Sequence, residues 1–351
     1  MQLRTLAQLN FRNLSTERLA FEPGLTVVVG GNGAGKSNLL AACHLVLSAE
    51  LPFGRIADAI RHGEEAAYVA GRFEHEDGES QVEIGLRPGR RSVQLDGNPV
   101  RSEQLATSAA VVMMTPADTE IVHGSPSRRR AWLDSLLGRL SLRYAKLTTE
   151  YSRVLTQRNS MLRQGWFDAS LDTWSERLVV VGVEIEQLRA RAIARIRQIA
   201  SEAYSEVAAA DESRLLGLAL QSADRVPLGE ALEQSRAEER ARGVTVVGPH
   251  RDDLVLTLNG RSVQAFGSRG EARTVALALK VAEFQLLLAR HGEEPVLLLD
   301  DFTAELDPHR RSYLLDLASK TRQTIATGTE PPADTHGARL LHISGGIVGH
   351  G

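Results

Sequence analysis

The sequence has almost no cysteine, no long apolar run and no signal segment, and each shortage excludes a class of protein. Cys43 is the only cysteine in 351 residues, so no disulfide can form within the chain and a reducing compartment is expected. No apolar run reaches the roughly 18 residues of a membrane-spanning helix. Residues 1–4 lead into a polar-interrupted strand without the apolar region of a signal peptide. The expected protein is cytoplasmic and has no membrane association.

Lysine is also scarce, and one of only four lysines, Lys36, lies in a glycine-rich segment after the apolar run 25–29. This order predicts a buried strand, a tight turn and a helix that begins at Lys36. Backbone N–H groups of such a turn bind phosphate oxygens, the lysine reaches the β- and γ-phosphates, and the Ser37 hydroxyl binds Mg²⁺. We therefore predict a P-loop that binds ATP or GTP. Its predicted residues are Gly30, Gly31, Asn32, Gly33, Ala34, Gly35, Lys36, Ser37 and Asn38.

A second motif ends in two adjacent carboxylates. Residues 296–299 are all apolar and precede Asp300 and Asp301, which predicts a buried parallel strand with both acids at its carboxyl end. We expect Asp300 to bind Mg²⁺ together with Ser37, and Asp301 to orient or deprotonate the attacking water. Lys36, Asp300 and Asp301 are thus the predicted catalytic residues. The P-loop favours this interpretation over a solvated turn that caps the next helix.

The 264 positions from Lys36 to Asp300 exceed what a compact P-loop domain requires, so a large insertion is expected. Near its end, Ser268-Arg269-Gly270-Glu271 opens an apolar-periodic helical run 32 residues before Asp300. A serine hydroxyl and free N–H groups at a helix start can form a second phosphate-binding surface. A serine and glycine at this position are usually only a cap, but the distance to Asp300 favours a functional motif.

The formal net charge of −3 excludes a strongly basic protein, but the charge is uneven. Between residues 125 and 200 there are 14 Lys and Arg against 7 Asp and Glu, and Arg128, Arg129 and Arg130 lie in this stretch. Charge alone leaves two interpretations open, namely solvated helix faces or a surface that binds DNA phosphates.

Periodicity and turn residues predict the remaining elements. Antiparallel strands are expected at 67–73, 80–86 and 92–95, a further strand at 110–114, mainly helices from 127 to 208 with a long helix at 176–207, and hairpins at Asn259-Gly260 and Gly345-Gly346.

Eleven segments spread along the chain follow one family pattern. They are residues 9–13, 21–25, 32–40, 124–126, 128–130, 133–134, 151–155, 157–159, 248–254, 268–271 and 297–306. Together they resemble the RecF family, ABC-type ATPases of bacterial recombinational repair related to the heads of structural-maintenance-of-chromosomes proteins. The block 248–254 and the arginines 128–130 distinguish this family from other P-loop proteins.

The resemblance implies an α/β ABC-type ATPase head, with a mixed sheet, flanking helices, an antiparallel β-subdomain and an inserted, largely helical lobe without a long coiled coil. The expected ATP-binding lobe comprises 1–110 and 291–351, and the helical lobe 111–290. Residues 304–307 resemble the D-loop. Ser268, Gly270, Glu271 and Asp307 are expected to face the ATP of a second copy, and Arg128, Arg129 and Arg130 to contact DNA.

The chain departs from the family pattern in three respects. Arg269 and Glu271 stand where RecF-like signatures often have glutamine. The switch histidine of transport ATPases is absent, and Thr327 or Thr329 is the candidate to substitute for it in sensing the γ-phosphate. Asp301 is one methylene shorter than the usual glutamate, which favours slow hydrolysis and a switch over a motor.

The function implied by the resemblance is an ATP switch in DNA repair, DNA replication and the SOS response to DNA damage. ATP would join two copies on gapped or duplex DNA, weak DNA-stimulated hydrolysis would release them, and RecR and RecO would help to load RecA. Two alternatives remain open at this point: the ATPase subunit of an ABC transporter, and a non-catalytic DNA clamp in which nucleotide only stabilises the fold.

Overall fold

The computed structural model describes residues 1–166, 169–208, 214–222, 226–301, 307–331 and 337–350, which belong to two compact units. Unit 1 comprises Met1–Asp118, Glu206–Ser213 and Leu277–Gly351, and unit 2 comprises Thr119–Ser205 and Arg214–Ala276. The structure therefore groups 111–118 and 277–290 with unit 1, whereas the sequence-based division assigned both to the helical lobe. The reason for the first difference is that strand 111–114 pairs with strand 296–299.

The elements are numbered in chain order. The strands are β1 (Gln2–Leu9), β2 (Arg18–Ala20), β3 (Gly24–Val29), β4 (Ala67–His75), β5 (Gly78–Arg87), β6 (Arg90–Leu95), β7 (Asn98–Pro99), β8 (Val111–Met114), β9 (Leu216–Gln221), β10 (Asp253–Leu258), β11 (Arg261–Ser262), β12 (Val296–Leu299), β13 (Gln323–Gly328), β14 (Arg339–Ser344) and β15 (Ile347–His350). The helices are α1 (Lys36–Ser48), α2 (Ile56–Ala59), α3 (Ser102–Ala106), α4 (Glu120–His123), α5 (Pro126–Leu140), α6 (Leu142–Gln164), α7 (Ala169–Val207), α8 (Leu228–Arg242), α9 (Val263–Phe266), α10 (Arg269–His291) and α11 (Pro308–Lys320).

A mixed six-stranded sheet in the order β15-β14-β3-β13-β12-β8 forms the centre of unit 1. The strands from β14 to β8 are parallel, and β15 pairs antiparallel at the edge. β8 and β12 contain only apolar residues and are fully buried, as expected for parallel strands in the interior of an α/β fold. Parallel pairing brings the carboxyl ends of β3, β13 and β12 to the same edge of the sheet.

Helix α1 lies between this sheet and the second sheet of unit 1. The second sheet is antiparallel, with the order β2-β1-β4-β5-β6-β7. α1 contacts β4 and β5 of the antiparallel sheet and β8 and β13 of the mixed sheet, and every residue from Leu39 to Ser48 is buried. A helix that is apolar all round is typical of such an interior position. The helix that follows the P-loop is therefore held from two sides.

Unit 2 combines helices α5 to α8 with the small sheet β11-β10-β9. Its longest helix, α7, has 39 residues, which corresponds to about 58 Å. None of the described helices has the length and apolar character needed to cross a bilayer.

Buried ion pairs join the helices of unit 2 to its loops. Arg158 on α6 is 2% exposed, donates to both carboxylate oxygens of Glu239 on α8 (3.0 and 2.7 Å) and also donates to the Thr245 hydroxyl at 2.7 Å. Arg189 on α7 pairs with Asp134 on α5 and with Asp252. Both guanidinium groups are buried and have lost their solvation, and their carboxylate partners compensate for this loss, which fixes the helices relative to one another.

The structure confirms most of the elements predicted from periodicity. The strands expected at 67–73, 80–86, 92–95 and 110–114 are β4, β5, β6 and β8, and the long helix at 176–207 lies within α7. Hairpins turn at Asn259-Gly260 and at Gly345-Gly346, as expected. The mixed sheet, the antiparallel subdomain and the helical unit confirm the predicted fold class.

Replacing Arg158 by alanine should lower the free energy of unfolding by about 3–5 kcal/mol, because Glu239 would remain buried without a counter-charge. Replacing Arg177, whose pair with Glu150 is exposed, should cost at most about 1 kcal/mol. Urea denaturation measures both. The double variant Arg158→Met, Glu239→Met should recover most of the loss. An equal loss of unfolding free energy in the Arg158 and Arg177 variants would contradict the stabilising role of the buried pair.

Candidate nucleotide-binding site

A cavity of about 300 Å³ lies in unit 1 where β3 and β12 end. Its lining residues are Gly31, Asn32, Gly33, Ala34, Gly35, Lys36, Ser37, Asn38, Asp300 and Asp301. The two predicted motifs therefore meet in one site despite their distance in the sequence. Gly30, the remaining predicted residue, joins β3 to this loop.

The Lys36 amine lies against the backbone of the loop. Its Nζ donates hydrogen bonds to the carbonyl oxygens of Gly30 (2.5 Å) and Gly31 (3.0 Å), and the residue is 8% exposed. This position at the cavity wall is the one from which a P-loop lysine can bind the β- and γ-phosphates.

The backbone of the loop can form only with glycine at two positions. Gly35 has φ +113°, and a Cβ there would lie 3.1 Å from Asn13 Oδ1. A Cβ on Gly30 would lie 2.3 Å from the carbonyl oxygen of Ile343. Gly35 caps α1 without a side-chain hydrogen bond, so the first N–H groups of the helix remain available to an anion.

Two segments remote in sequence support the loop. Asn13 Nδ2 donates to the Gly33 carbonyl at 3.0 Å, and Asn13 Oδ1 accepts a hydrogen bond from Asn38 Nδ2 at 2.7 Å. From the turn between β14 and β15, the Gly346 N–H donates to the Ala34 carbonyl at 2.9 Å. In the sequence, residues 9–13 stand out only as part of the family pattern, and no local pattern predicts a role in the site for Asn13 or Gly346.

Arg12 fixes Asn38 from the other side. Its guanidinium donates to Asn38 Oδ1 at 2.8 Å and to the Phe53 carbonyl at 2.7 Å, and it lies over the Phe53 ring at 4.3 Å from the centroid. The Asn38 amide is thus held at both ends, by Arg12 and Asn13. No spacing rule could have identified this contact, because Arg12 and Asn38 belong to different elements.

Ser37 and Asp300 form the direct link between the two motifs. Ser37 Oγ donates to Asp300 Oδ1 at 3.0 Å. A hydroxyl and a carboxylate oxygen are ligands that suit Mg²⁺, which in such sites is completed by water and phosphate oxygens. No cluster of three or more His, Cys, Asp or Glu side chains suited to a metal occurs in the described part of the chain. The donor set therefore fits a metal held jointly with nucleotide phosphates.

Thr327 on β13 contacts both acids of the second motif. Its Oγ1 donates to Asp300 Oδ1 at 2.8 Å and accepts a hydrogen bond from the Asp301 N–H at 2.9 Å. Asp301 has φ +46°, a left-handed conformation that is uncommon for residues other than glycine. Thr327 and Thr329 are the two candidates to substitute for the switch histidine. The structure shows that the Thr327 side chain is buried and Thr329 is exposed.

The signature residues lie in unit 2, at the start of α10. Ser268 Oγ accepts a hydrogen bond from the Glu271 N–H (3.2 Å), and Glu271 Oε2 accepts one from the Ser268 N–H (2.7 Å). This reciprocal arrangement is a capping box. The bond from the Ser268 backbone, together with the Arg214 guanidinium, lowers the pKa of Glu271. Ser268 is exposed, and a Cβ on Gly270 would meet only Ser268 Oγ, at 3.9 Å.

Asp307 is the last residue of the predicted D-loop, whose residues 304–306 lie outside the described part. Asp307 caps α11 by accepting from the N–H groups of His309 and Arg310 at 3.0 and 3.1 Å. Its carboxylate also pairs with the Arg310 side chain.

The three arginines predicted to contact DNA differ in their environment. Arg128 is exposed and pairs with Glu120 at 3.2 Å. Arg129 is 2% exposed and donates to both carboxylate oxygens of Asp253, while Arg130 is half-buried and donates to the Asp252 carbonyl. Arg129 is therefore enclosed by its own ion pair, Arg130 is partly accessible, and Arg128 is the most exposed of the three.

The block 248–254, a main carrier of the family resemblance, lies among the buried charges of unit 2. Asp252 is fully buried and accepts from Arg189, and His250 Nδ1 lies 2.9 Å from Tyr151 Oη. Burial lowers the pKa of His250 to about 4, so the imidazole is neutral at pH 7. The block therefore stabilises unit 2.

Comparisons with known proteins show which family the chain resembles over nearly its whole length. A model of the RecF/RecN/SMC N-terminal domain matches residues 2–343. The DNA replication and repair protein RecF of Deinococcus radiodurans is 46% identical over 333 residues, covering 94% of this chain and 91% of the relative. RecF of Symbiobacterium thermophilum is 37% identical over 374 residues, covering 99% and 98%.

Solved structures give the same result. The structure of the recombination mediator protein RecF-ATP in the RecFOR pathway has a TM-score of 0.92 at 29% identity and covers 99% of this chain and 97% of that chain. An Smc head bound to the C-terminal winged-helix domain of ScpA has a TM-score of 0.57 at 20% identity, with 99% and 96% covered, and shows the shared fold alone.

Replacing Asn13 by alanine should weaken ATP binding about tenfold, because two hydrogen bonds that support the loop are lost at about 0.5–1.5 kcal/mol each. Isothermal titration calorimetry measures the affinity. Asn98→Ala is the matched control, since Asn98 is exposed, its side-chain amide donates to the Asp96 carbonyl, and it does not line the cavity. An unchanged affinity for Asn13→Ala would show that the loop keeps its shape without this support.

Proposed function

Because this chain belongs to the RecF family, within the RecF/RecN/SMC N-terminal domain proteins, we propose that it is an ATP-dependent DNA-binding protein of recombinational repair and replication-fork maintenance. Its hydrolysis of ATP serves as a switch. The relatives named for DNA replication and repair favour this function over the subunit of a transporter.

The observation that carries the proposal is the hydrogen bond between Ser37 and Asp300, 263 positions apart, beside the Lys36 amine. These are the three groups that a P-loop ATPase needs around a bound triphosphate. Mg²⁺, held by Ser37 and Asp300, would neutralise charge on the β- and γ-phosphates. The RecF-ATP structure supports ATP as the nucleotide.

The residues of this chain have distinct tasks in the proposed reaction. Lys36 and the N–H groups of residues 31–38 bind and orient the phosphates. Asp301, at the cavity wall, accepts a proton from the attacking water or orients it. Its side chain is one methylene shorter than that of glutamate, so its reach is smaller and hydrolysis is slow. Slow hydrolysis suits a switch in which the ATP-bound form persists until the ATP is cleaved.

The second half of each site comes from another copy. The exposed Ser268 hydroxyl accepts from the Glu271 N–H and keeps its own proton to donate to a γ-phosphate. Gly270 leaves the helix start open to that phosphate, and Asp307 belongs to the same contact. Phe266, two residues before Ser268, is 78% exposed, and its burial between two copies would add apolar contact area. ATP therefore joins two chains in a symmetric dimer.

The dimer acts on duplex and gapped DNA in the cytoplasm. Binding is to phosphates, with Arg128 as one contact, and hydrolysis releases the DNA. Together with RecR and RecO the dimer helps to load RecA on single strands. The RecFOR pathway named for the similar RecF-ATP structure supports these partners.

Replacing Ser268 by arginine should abolish ATP-dependent dimerisation and leave ATP binding by the monomer within about threefold, because the serine serves the neighbouring copy. Light scattering with a non-hydrolysable ATP analogue measures the first property, and calorimetry the second. Ser205→Arg, at an exposed position on α7, is the matched control and should dimerise normally. Parallel loss of both properties would contradict the assignment of Ser268 to the partner's ATP. A wild-type protein that stays monomeric when saturated with the analogue would refute the proposed switch.

The affinity for duplex DNA in the presence of ATP should fall roughly 10³-fold between 50 and 200 mM salt if about six phosphates are contacted. Fluorescence anisotropy at a series of salt concentrations gives the slope. Arg128→Ala should remove one phosphate contact and so reduce the slope of log affinity against log salt concentration by about 1. The free energy of unfolding should not change. A salt-independent affinity would exclude phosphate contacts as the basis of binding.

A further inference from the structure

We propose that Thr327 is a positioning residue for both acids of the ATPase site, an inference that rests on the proposed function. Its hydroxyl would hold the Asp300 carboxylate beside Ser37 and would fix the backbone of Asp301. Thr327 would thereby set the affinity of the nucleotide site for Mg²⁺ without contacting the nucleotide.

The hydroxyl makes its two shortest hydrogen bonds with these acids, and the Leu299 carbonyl oxygen lies farther away, at 3.4 Å. Thr327 Oγ1 donates at 2.8 Å to Asp300 Oδ1, the same oxygen that accepts from Ser37 Oγ at 3.0 Å. The oxygen also accepts at 2.9 Å from the Asp301 N–H. Thr327 is 0% exposed, so water cannot replace these bonds.

The order of the strands makes this contact possible. β13 lies between β3 and β12, and Ala326 pairs with Leu299. Thr327 is therefore level with Asp300, one residue beyond the end of β12. It also pairs with Val28, next to the end of β3. The side chain thus reaches the space between the two motifs from the strand that separates them.

The left-handed backbone of Asp301 is a second reason to assign Thr327 a positioning role. With φ +46°, this residue leaves the regular strand geometry, and its N–H needs a partner outside the sheet. The Thr327 hydroxyl is that partner. Since its proton is directed to Asp300, Thr327 is not the group that senses the γ-phosphate. The interpretation of Thr327 as a substitute for a switch histidine is thereby replaced by a role in positioning.

The test is an equilibrium titration of a fluorescent ATP analogue with increasing Mg²⁺, with a parallel measurement in EDTA. Thr327→Val keeps the volume and removes the hydroxyl, and it should raise the Mg²⁺ concentration for half-maximal binding about tenfold. Binding in EDTA should change by less than about twofold, because the phosphate contacts of Lys36 and the loop remain. Thr327→Ser should behave like the wild type.

Thr324→Val is the matched control on the same strand. Thr324 is also 0% exposed, but its hydroxyl donates to the Ala318 carbonyl, away from the cavity. This variant should keep the Mg²⁺ dependence of the wild type. If Thr327→Val does not fold, Thr327→Ala compared with Thr327→Ser isolates the hydroxyl in the same way.

The outcomes separate this inference from the function on which it rests. An unchanged Mg²⁺ dependence in Thr327→Val, or an equal weakening with and without Mg²⁺, overturns the positioning role while the ATPase proposal stands. A wild-type protein that fails to bind the analogue under either condition overturns the proposed function itself. A tenfold shift in Mg²⁺ dependence confined to the variants that lack the hydroxyl supports the inference.

Discussion

The parallel alignment of β3, β13 and β12 is the constraint on which the site depends. Because parallel strands end at one edge of a sheet, the loop after β3 and the acids after β12 meet there, and Ser37 can donate to Asp300. β13 lies between them and places Thr327 against the same carboxylate. A shift of β12 by one residue would turn its side chains to the opposite face and separate Asp300 from Ser37.

The groups that were predictable from sequence are those whose chemistry is local. The P-loop residues 30–38 lie within one strand, turn and helix, so their spacing alone predicts their geometry. Asp300 and Asp301 were predictable because a fully apolar tetrapeptide precedes them. Asn13 and Thr327 were not, since each acts through a contact with an element remote in sequence. Such contacts depend on strand order, which no local pattern determines.

Charge counts along the sequence left two interpretations open, namely solvated helix faces or a surface that binds DNA. Part of the arginine excess between 125 and 200 is buried, because Arg129, Arg139, Arg158 and Arg189 are all at most 4% exposed. Their carboxylate partners include Asp252, Asp253 and Glu239, which lie outside the counted stretch. A charge count over residues 125–200 therefore includes arginines that are neutralised by carboxylates outside this stretch. Burial decides which of them can reach DNA.

The same buried pairs explain how a unit of this size can interrupt a P-loop domain. The entropic cost of closing a flexible connection rises by only about 0.6 kcal/mol for each doubling of its length. The large sequence separation of Ser37 and Asp300 therefore adds little to the cost of folding. The larger requirement is that the inserted chain must fold by itself and impose no strain on β12. Unit 2 has features that suit this requirement, namely its own sheet and ion pairs among its own residues, such as Arg158 with Glu239. The insertion is therefore compatible with the strand alignment that the ATP site needs.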